Sequence, residues 1–377
     1  MRRALELAER GRGRVSPNPL VGAVVVRDGE VIGEGFHAEL GGLHAERAAL
    51  ADCRARGEDP AGATMYVTLE PCAHQGRQPP CVEAILAEGI ARVAIASEDP
   101  SEKAAGRGPG MLRDGGVEVL FAAGAEAAAA RRLNQPFRKH SRTGLPFVTL
   151  KLAMSLDGQT ATAPGDSPWI SSDESRALVH HWRAESDAIA VGIGTVLADD
   201  PLLTARIPTA RQPTRVVFDS DARLPCSSQL LATLNQSPLI VVVAPDADAA
   251  RTRALRDTGA DVIVASGASS ADRVKTALAD LGRREITSLF LEGGRTLASA
   301  FLAADQIDEA KTFIAPVLLG QSSSRLAVGD PEGGSENENL ARRTPPRGQA
   351  PPRRSALESS TEQVGDDVLV TARFREW

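Results

Sequence analysis

Three side chains that can bind one metal ion lie far apart in this sequence, and bringing them together limits the folds it can adopt. His44-Ala45-Glu46 opens a segment with a helical pattern, and Pro71-Cys72 follows directly on a β-rich run ending at Glu70. Eight residues then separate Cys72 from Cys81. Zinc takes imidazole and thiolate ligands in tetrahedral geometry, and three protein ligands leave a fourth position open. Glu46, two residues from His44 on the same element, would stand near the metal but remain free to move protons. An isolated His-x-Glu or Pro-Cys usually marks only a surface helix or a loop. The signal lies in a helix start and a strand end carrying both together. Cys53 and Cys226 have no such context and read as structural.

The surrounding pattern is α/β. Residues 2–12 read as an amphipathic helix. The β-rich runs Val21–Val26 and Glu30–Phe36 are joined at Asp28-Gly29, a hairpin turn signal. Helices are predicted over 45–56, 82–88, 108–114 and 124–133, and strands over 64–69, 91–96 and 117–121. That alternation implies a mixed sheet covered by helices on both faces. The polar stretch KHSRTGLP (139–146) reads as the boundary between domains 1–145 and 146–377. After it, strands are predicted at 147–154, 188–191, 215–218, 239–243, 261–264 and 288–291, with a closing strand at 367–373. Residues 329–354 contain one Leu and two Ala as their only aliphatic side chains. They cannot bury enough to offset their ordering entropy and read as a flexible segment.

Composition narrows the function classes. The 377 residues suit two domains at about 150 residues each. A net charge of −6 with 3% aromatics argues against a general nucleic-acid binder. The longest aliphatic run, near 239–244, is far short of the ~20 residues that span a bilayer. The basic N-terminus lacks the apolar core of a secretory leader. Four cysteines in a chain this long do not make a disulfide framework, so a reducing, cytoplasmic setting is expected.

The metal ligands and Glu46 are the arrangement of zinc nucleobase deaminases, in which metal-activated water attacks the ring carbon and a glutamate shuttles the proton. Cys-x-x-Cys is the common second spacing there, and the longer CAHQGRQPPC (72–81) is distinctive. With SPNPLVGAVVV (16–26), GEGFH (33–37), HAER (44–47), TLEPCAHQGRQPPC (68–81) and EDPSEKAAGRG (98–108), the first half resembles the deaminase domain of the bifunctional riboflavin-biosynthesis deaminase/reductase family. The resemblance implies a cytidine-deaminase-like domain with zinc on His44, Cys72 and Cys81 and with Glu46 as proton shuttle. It further implies substrate contacts from Asn18, His37, His74, Arg77 and Asp99. One departure is Ser101, where the family has Asn after Asp-Pro; a hydroxyl replaces one amide hydrogen bond but not two.

The second half carries KLAMSLDGQTA (151–161), a Ser-rich stretch at 167–172 placed as a helix N-cap, VGIGTVLADDPLLTAR (191–206) and SLFLEGGRTLASAF (288–301). Alone, each is a plain hairpin, cap or strand-to-helix turn. Together they resemble the same family's reductase domain, which has a dihydrofolate-reductase-like fold and uses NADPH. The resemblance implies cofactor contacts from Ala153, Trp169, Thr195, Asp199, Ser220, Gly294, Arg295, Thr296, Leu297, Ala298, Ser299 and Ala300. For the phosphoribosyl pyrimidine substrate it implies Lys151, Ser167, Arg183, Leu203, Arg206 and Glu292. The implied reactions are hydrolytic deamination of 2,5-diamino-6-ribosylamino-4(3H)-pyrimidinone 5′-phosphate, then NADPH-dependent reduction of its ribosyl chain to ribityl. The compact stretch that the family places before its Gly-Asp-Asp strand is replaced here by the polar segment 329–354.

Two other readings remain at this level. A nucleic-acid or free-base zinc deaminase could be fused to an unrelated nucleotide-binding domain; it predicts a basic surface. A non-enzymatic zinc module predicts a fourth protein ligand, for which no good candidate stands out. The expected partner is a small molecule, not nucleic acid or membrane, and oligomeric state is left open.

Overall fold

The computed structural model of the chain describes residues 1–76, 78–101, 104–160, 170–320 and 354–377. They form two units. The first takes Met1–Phe147 with Leu281–Thr287 and Glu376–Trp377, and the second takes Val148–Asp280 with Ser288–Arg375. The flexibility expected of 329–354 concerns residues that, apart from Arg354, lie outside the described ones.

The first unit runs α1 (Arg2–Glu9), β1 (Gly22–Arg27), β2 (Glu30–Phe36), α2 (Ala45–Ala55), β3 (Thr64–Val67), α3 (Cys81–Ala87), β4 (Arg92–Ile95), α4 (Arg107–Asp114), β5 (Glu118–Phe121), α5 (Gly124–Leu133) and α6 (Gln135–Thr143). Its described strands lie in the order β2-β1-β3-β4-β5. The hairpin and β1–β3 are antiparallel, whereas β3, β4 and β5 are parallel. Asp28 and Gly29 have φ of 51° and 85°, the left-handed pair that a tight hairpin turn requires. Val25, Met65, Val67, Leu50, Ile85, Val93 and Ile95 fill the core between sheet and helices.

Two glycines of β2 decide where α2 places His44 and Glu46. A Cβ on Gly33 would stand 2.3 Å from Cys53 Sγ and 2.5 Å from the Ala49 carbonyl oxygen. A Cβ on Gly35 would stand 2.2 Å from Ala49 N. Helix α2 therefore rests on the backbone of β2, and this contact fixes its first turn, with His44 as N-cap and Glu46 just inside.

The expected boundary at 139–146 covers the end of α6 and the three residues before the strand that starts at Phe147, next to the break between the units at 147/148. Helix α6 continues to Thr143 and ends on Gly144 in the left-handed conformation. Two charged residues of α6 are buried with partners. Arg138, 2% exposed, donates to Ser97 Oγ at 3.0 Å and to Glu98 Oε1 at 2.9 Å, and Lys139 is fully buried.

The second unit runs β6 (Phe147–Ser155), α7 (Asp173–Glu185), β7 (Ala188–Gly192), α8 (Ile193–Asp199), β8 (Thr214–Phe218), α9 (Gln229–Ala232), β9 (Leu239–Val243), α10 (Ala249–Asp257), β10 (Asp261–Val264), α11 (Ser270–Arg283), β11 (Ser288–Leu291), α12 (Arg295–Ala303), β12 (Glu309–Ala315), β13 (Glu358–Val364) and β14 (Asp367–Arg373). The described strands lie in the order β10-β9-β8-β7-β11-β6-β12-β14-β13. β9, LIVVV, is buried at every position, as a parallel strand covered on both faces must be. β12–β14 and β14–β13 pair antiparallel. Ser172 caps α7, its side chain accepting the Ser175 N–H at 3.2 Å.

Candidate active sites

His44, Cys72 and Cys81 converge. Their donor atoms all lie within 4.8 Å of one another. His44 Nδ1 is 3.5 Å from Cys72 Sγ and 3.4 Å from Cys81 Sγ. Zinc bond lengths of about 2.0–2.1 Å to nitrogen and 2.3 Å to sulfur put the N···S edges of a tetrahedron at about 3.5–3.6 Å. The donor set therefore fits a tetrahedral zinc ion with little movement. Three different elements supply it: the N-cap of α2, the loop after β3 and the first residue of α3. The Cys81 N–H donates to Cys72 Sγ at 3.3 Å, tying the two thiols together across the long insertion. A hydrogen bond from Cys81 is the main reason the Cys72 thiol is pulled down to about 4, with the His44 ring contributing. Protons shared in this way are released when a cation takes the lone pairs.

Glu46 is 4% exposed and packed beside these donors. Burial pushes its carboxyl up to about 7, and the charge of Cys72 adds to the shift. A carboxyl poised near neutrality can both accept and return a proton. His37 meets the same cluster edge-on, its ring centroid 5.4 Å from that of His44. The Leu43 carbonyl, 2.9 Å from His37 Nδ1, can only accept, so Nδ1 carries the proton. Nε2 then accepts from Asn18 Nδ2 at 3.1 Å. Burial lowers the His37 pKa, so the ring is neutral at pH 7. Asn18, His37 and His44 thus form one connected wall.

The remaining expected deaminase contacts are more scattered. Asp99 is buried, and its Oδ1 accepts the Ser101 backbone N–H at 2.8 Å. Ser101 thus supports Asp99 through its main chain, which its side chain does not alter. His74 is exposed on the loop between Cys72 and Cys81, and Arg77 lies outside the described residues. Sequence reasoning passed over Glu70. Its carboxylate is 5% exposed and accepts the Asp99 N–H at 3.4 Å, so it holds the segment that carries Asp99. The adjacent acid in TLEPC was the available signal.

In the second unit a cavity of about 660 Å³ opens along the carboxyl ends of β7, β8 and β9. Thr195, Asp199, Ser220, Gly294, Arg295, Thr296, Leu297 and Ala300 line it. Ala298 instead faces the core, fully buried, and Ser299 is not among the lining residues. Gly294 is the N-cap of α12, so backbone N–H groups of that helix end at the cavity, where they can hold a phosphate. Apolar Phe218, Val242 and Val274 supply a surface for a ring. The wall of N–H donors, apolar surface and basic groups fits a dinucleotide. Sequence reasoning missed Arg223 and Arg273, which also line it. Arg223 could have been noticed in FDSDAR, directly after a strand end; Arg273 depends on which strand lies beside β9.

A second cluster lies on β6, α7 and the end of β11. Arg183 grips Glu292 with two parallel bonds, Nε to Oε1 at 2.6 Å and Nη2 to Oε2 at 2.9 Å. Burial alone would raise the Glu292 carboxyl, but Arg183 outweighs it and holds the group below its usual value. Burial pulls the Lys151 ammonium down, and Glu292 opposes that shift. Arg183 also donates to the Thr204 carbonyl at 3.2 Å, fixing the loop that follows α8. In that loop Asp200, Leu203 and Arg206 all take left-handed φ, between 38° and 54°, which non-glycine residues rarely adopt. The conformation sends the Leu203 side chain into the core and leaves Arg206 exposed. Ala153 sits on β6 within packing reach of the core, while Ser167 and Trp169 lie outside the described residues.

Comparison with known proteins agrees with this division. Residues 1–97 match the cytidine and deoxycytidylate deaminase zinc-binding region, and residues 146–342 match the RibD C-terminal domain. The chain is 39% identical to the riboflavin biosynthesis protein RibD of Actinobacillus pleuropneumoniae over 370 residues, covering 98% of this chain and 93% of that protein. It is 41% identical to RibD of Escherichia coli strain K12 over 347 residues, 87% of this chain and 90% of the other. Among solved structures it is similar to Acinetobacter baumannii RibD, with a TM-score of 0.81 at 37% identity over 100% of this chain and 98% of that one. It is equally similar to a Thermotoga maritima diaminohydroxyphosphoribosylaminopyrimidine deaminase/5-amino-6-(5-phosphoribosylamino)uracil reductase, at 35% identity, a TM-score of 0.81, and 100% and 97% coverage. Among the described residues, no helix is long and apolar enough to cross a membrane.

Proposed function

The chain belongs to the bifunctional RibD family of riboflavin biosynthesis, and from that premise we propose how its own residues divide the two reactions. Its fold is α/β, with a cytidine-deaminase-like unit followed by a dihydrofolate-reductase-like one. It is a zinc-dependent deaminase and NADPH-dependent reductase acting on 2,5-diamino-6-ribosylamino-4(3H)-pyrimidinone 5′-phosphate and its deaminated product.

His44, Cys72 and Cys81 are the residues that hold zinc. Zinc, when bound, supplies the Lewis acidity that activates water for hydrolysis. Glu46 holds the proton removed from that water and returns it to the leaving amine, which its buried carboxyl is tuned to do. The neutral His37 and Asn18 pair orients the pyrimidine, Asp99, on a segment braced by Glu70, contacts it, and His74 and Arg77 complete the substrate set. The observation that carries this reading is the convergence of one nitrogen and two sulfurs at tetrahedral spacing beside a buried glutamate.

In the reductase, NADPH supplies the electron pair, and the chain supplies binding and orientation. Thr195, Asp199, Ser220, Gly294, Arg295, Thr296, Leu297 and Ala300 hold the cofactor in the cavity, and Ala153 and Trp169 belong to the same cofactor set. Lys151, Arg183, Arg206 and Glu292, with Ser167 and the Leu203 backbone, hold the ribosyl phosphate. The domains proposed for these activities are 1–145 and 146–377.

Two assays on one variant test the division. Glu46→Gln keeps the side-chain size and all three metal ligands. Ammonia release should fall by about 10²–10⁴-fold, the contribution of a general acid–base group. Zinc content and NADPH oxidation with pre-deaminated substrate should persist. Loss of both activities in a folded, zinc-loaded protein would overturn the assignment.

A further inference from the structure

The first unit buries a guanidinium that its zinc chemistry does not use. Arg138 lies in the middle of α6 and is 2% exposed. Its Nη1 donates to Ser97 Oγ at 3.0 Å and to the Glu98 carbonyl oxygen at 3.2 Å, and its Nη2 donates to Glu98 Oε1 at 2.9 Å. These three bonds meet two consecutive residues, and the next residue is Asp99. A guanidinium presents its donors in one rigid plane, so a segment that meets three of them has its orientation set as well as its distance. Glu70 holds the same residues. Its N–H donates to the Ser97 carbonyl oxygen at 2.9 Å, and its Oε2 accepts the Asp99 N–H at 3.4 Å. Residues 97–99 are thus clamped by Glu70 and Arg138 together.

Arg138 is itself anchored. Its backbone N–H donates to the Asn134 carbonyl oxygen at 2.9 Å. Asn134, 3% exposed, bonds both main-chain groups of Leu20, accepting the N–H at 2.8 Å and donating to the carbonyl oxygen at 2.9 Å. The start of α6 is therefore tied to the loop that carries Asn18. Arg138 Nε donates to the main-chain oxygen of Trp377, which belongs to the same unit. The Trp377 N–H donates in turn to Gln135 Oε1 at 2.9 Å, and its ring centroid lies 5.3 Å from Lys139 Nζ. Held at Nε and along its helix, the guanidinium has little freedom to turn away from residues 97 and 98.

Burying a guanidinium is costly, and Glu98 does not require it. The Glu98 side chain is 51% exposed, so water can satisfy its carboxylate. What the buried cation fixes is the main chain that leads into Asp99. We propose that Arg138 is a positioning residue of the deaminase: it holds Asp99 where its carboxylate meets the pyrimidine substrate, and itself touches neither substrate nor metal. The inference rests on reading Asp99 as a substrate contact.

Steady-state deamination by the full chain, followed as ammonia release, tests this. Arg138→Met keeps the apolar stem and removes the donors. KM for the diaminopyrimidinone substrate should rise about tenfold, as it does when the binding-competent arrangement falls to about a tenth of the population. The kcat and the zinc content should hold, because Glu46 and the three metal ligands are untouched. NADPH oxidation with the deaminated substrate should be unchanged. Ser97→Ala removes one acceptor from the same guanidinium with less risk to the fold, and should raise KM in the same direction by less. In an Asp99→Ala background, Arg138→Met should add nothing, since it acts through a carboxylate that is no longer there. A parental KM in both Arg138→Met and Ser97→Ala, a fall in kcat alone, or effects that multiply with Asp99→Ala would overturn the proposal and leave Asp99 as a contact. An Asp99→Ala chain with the parental KM would overturn the reading of Asp99 and this inference with it.

Discussion

The metal cluster of the first unit and the cavity of the second are built on opposite plans. The cluster needs three side chains within 4.8 Å, and each comes from a short motif at an element boundary. The cavity draws on β7, α8, β8, β9, α11 and α12, elements spread from residue 188 to 303. A metal tolerates only a few donor types at fixed distances, so the residues that serve it are chemically conspicuous. A dinucleotide is held by backbone N–H groups, apolar surface and dispersed charge, which many residue types can supply. The first plan concentrates function in a few atoms, and the second distributes it over topology.

If that contrast is right, removing one ligand should be the most damaging single change to the first reaction and leave the second intact. Cys81→Ser and Cys72→Ser each replace a soft thiolate by a hydroxyl that zinc holds poorly. Metal affinity should fall by more than the about 10–100-fold that loss of an outer partner costs. Elemental analysis should show sub-stoichiometric zinc, and ammonia release should be lost. NADPH oxidation with the deaminated substrate should continue. A Cys81→Ser protein with full zinc content would break the comparison at its stronger end.

The second unit also has one concentrated point outside that cavity, the pair of Arg183 with Glu292. Their side chains are 13% and 12% exposed, so cutting one partner leaves a nearly buried charge uncompensated. Glu292→Gln should cost about 3–5 kcal/mol of stability, as removing one member of a buried pair does. Zinc content should not change. The sign of the pH dependence follows from the Glu292 carboxyl being held below its usual 4.5. A carboxylate with a depressed folded-state pKa contributes stability above the unfolded value and loses it as pH falls through the folded one. The melting-temperature gap between parent and variant should therefore be full at pH 7 and narrow below pH 4.5. A gap that stays constant to pH 3 would mean that packing, not the ion pair, is the source.

The same contrast explains what was legible beforehand. The zinc ligands, Glu46 and most strands with apolar runs stood out because chemistry or periodicity marks them. β12 and β13 did not. β13, ESSTEQV, is exposed at nearly every position and is held by its ladder with β14, a main-chain interaction that leaves no side-chain pattern. β12, EAKTFIA, buries only Phe313 and Ala315 fully. Helix α6 was hidden for the opposite reason: Arg138 and Lys139 look like linker residues until their burial is known. Arg273 reaches the cavity only because β10 pairs with β9, a neighbour relation that no local window contains. The side chain of Leu203 points into the core because its backbone is left-handed, which composition does not announce.

The two cysteines outside the cluster offer the finest test of how local the metal site is. Cys53 is fully buried on α2, the same helix whose N-cap is His44, and its sulfur packs against the backbone at Gly33. Cys226 is exposed. Cys53→Ser puts a hydroxyl into the apolar packing of α2 on β2 and should cost about 1–3 kcal/mol, read by denaturant unfolding. Its zinc content should remain near one per chain, because the helix start is held by Gly33 and Gly35 rather than by that thiol. Cys226→Ser should stay within about 0.5 kcal/mol of the parent, as surface substitutions do, with zinc and both activities intact. If Cys53→Ser releases zinc as readily as Cys81→Ser does, the packing of α2 on β2 is itself part of the metal site. The site would then extend through the helix, and the contrast between a concentrated and a distributed plan would weaken.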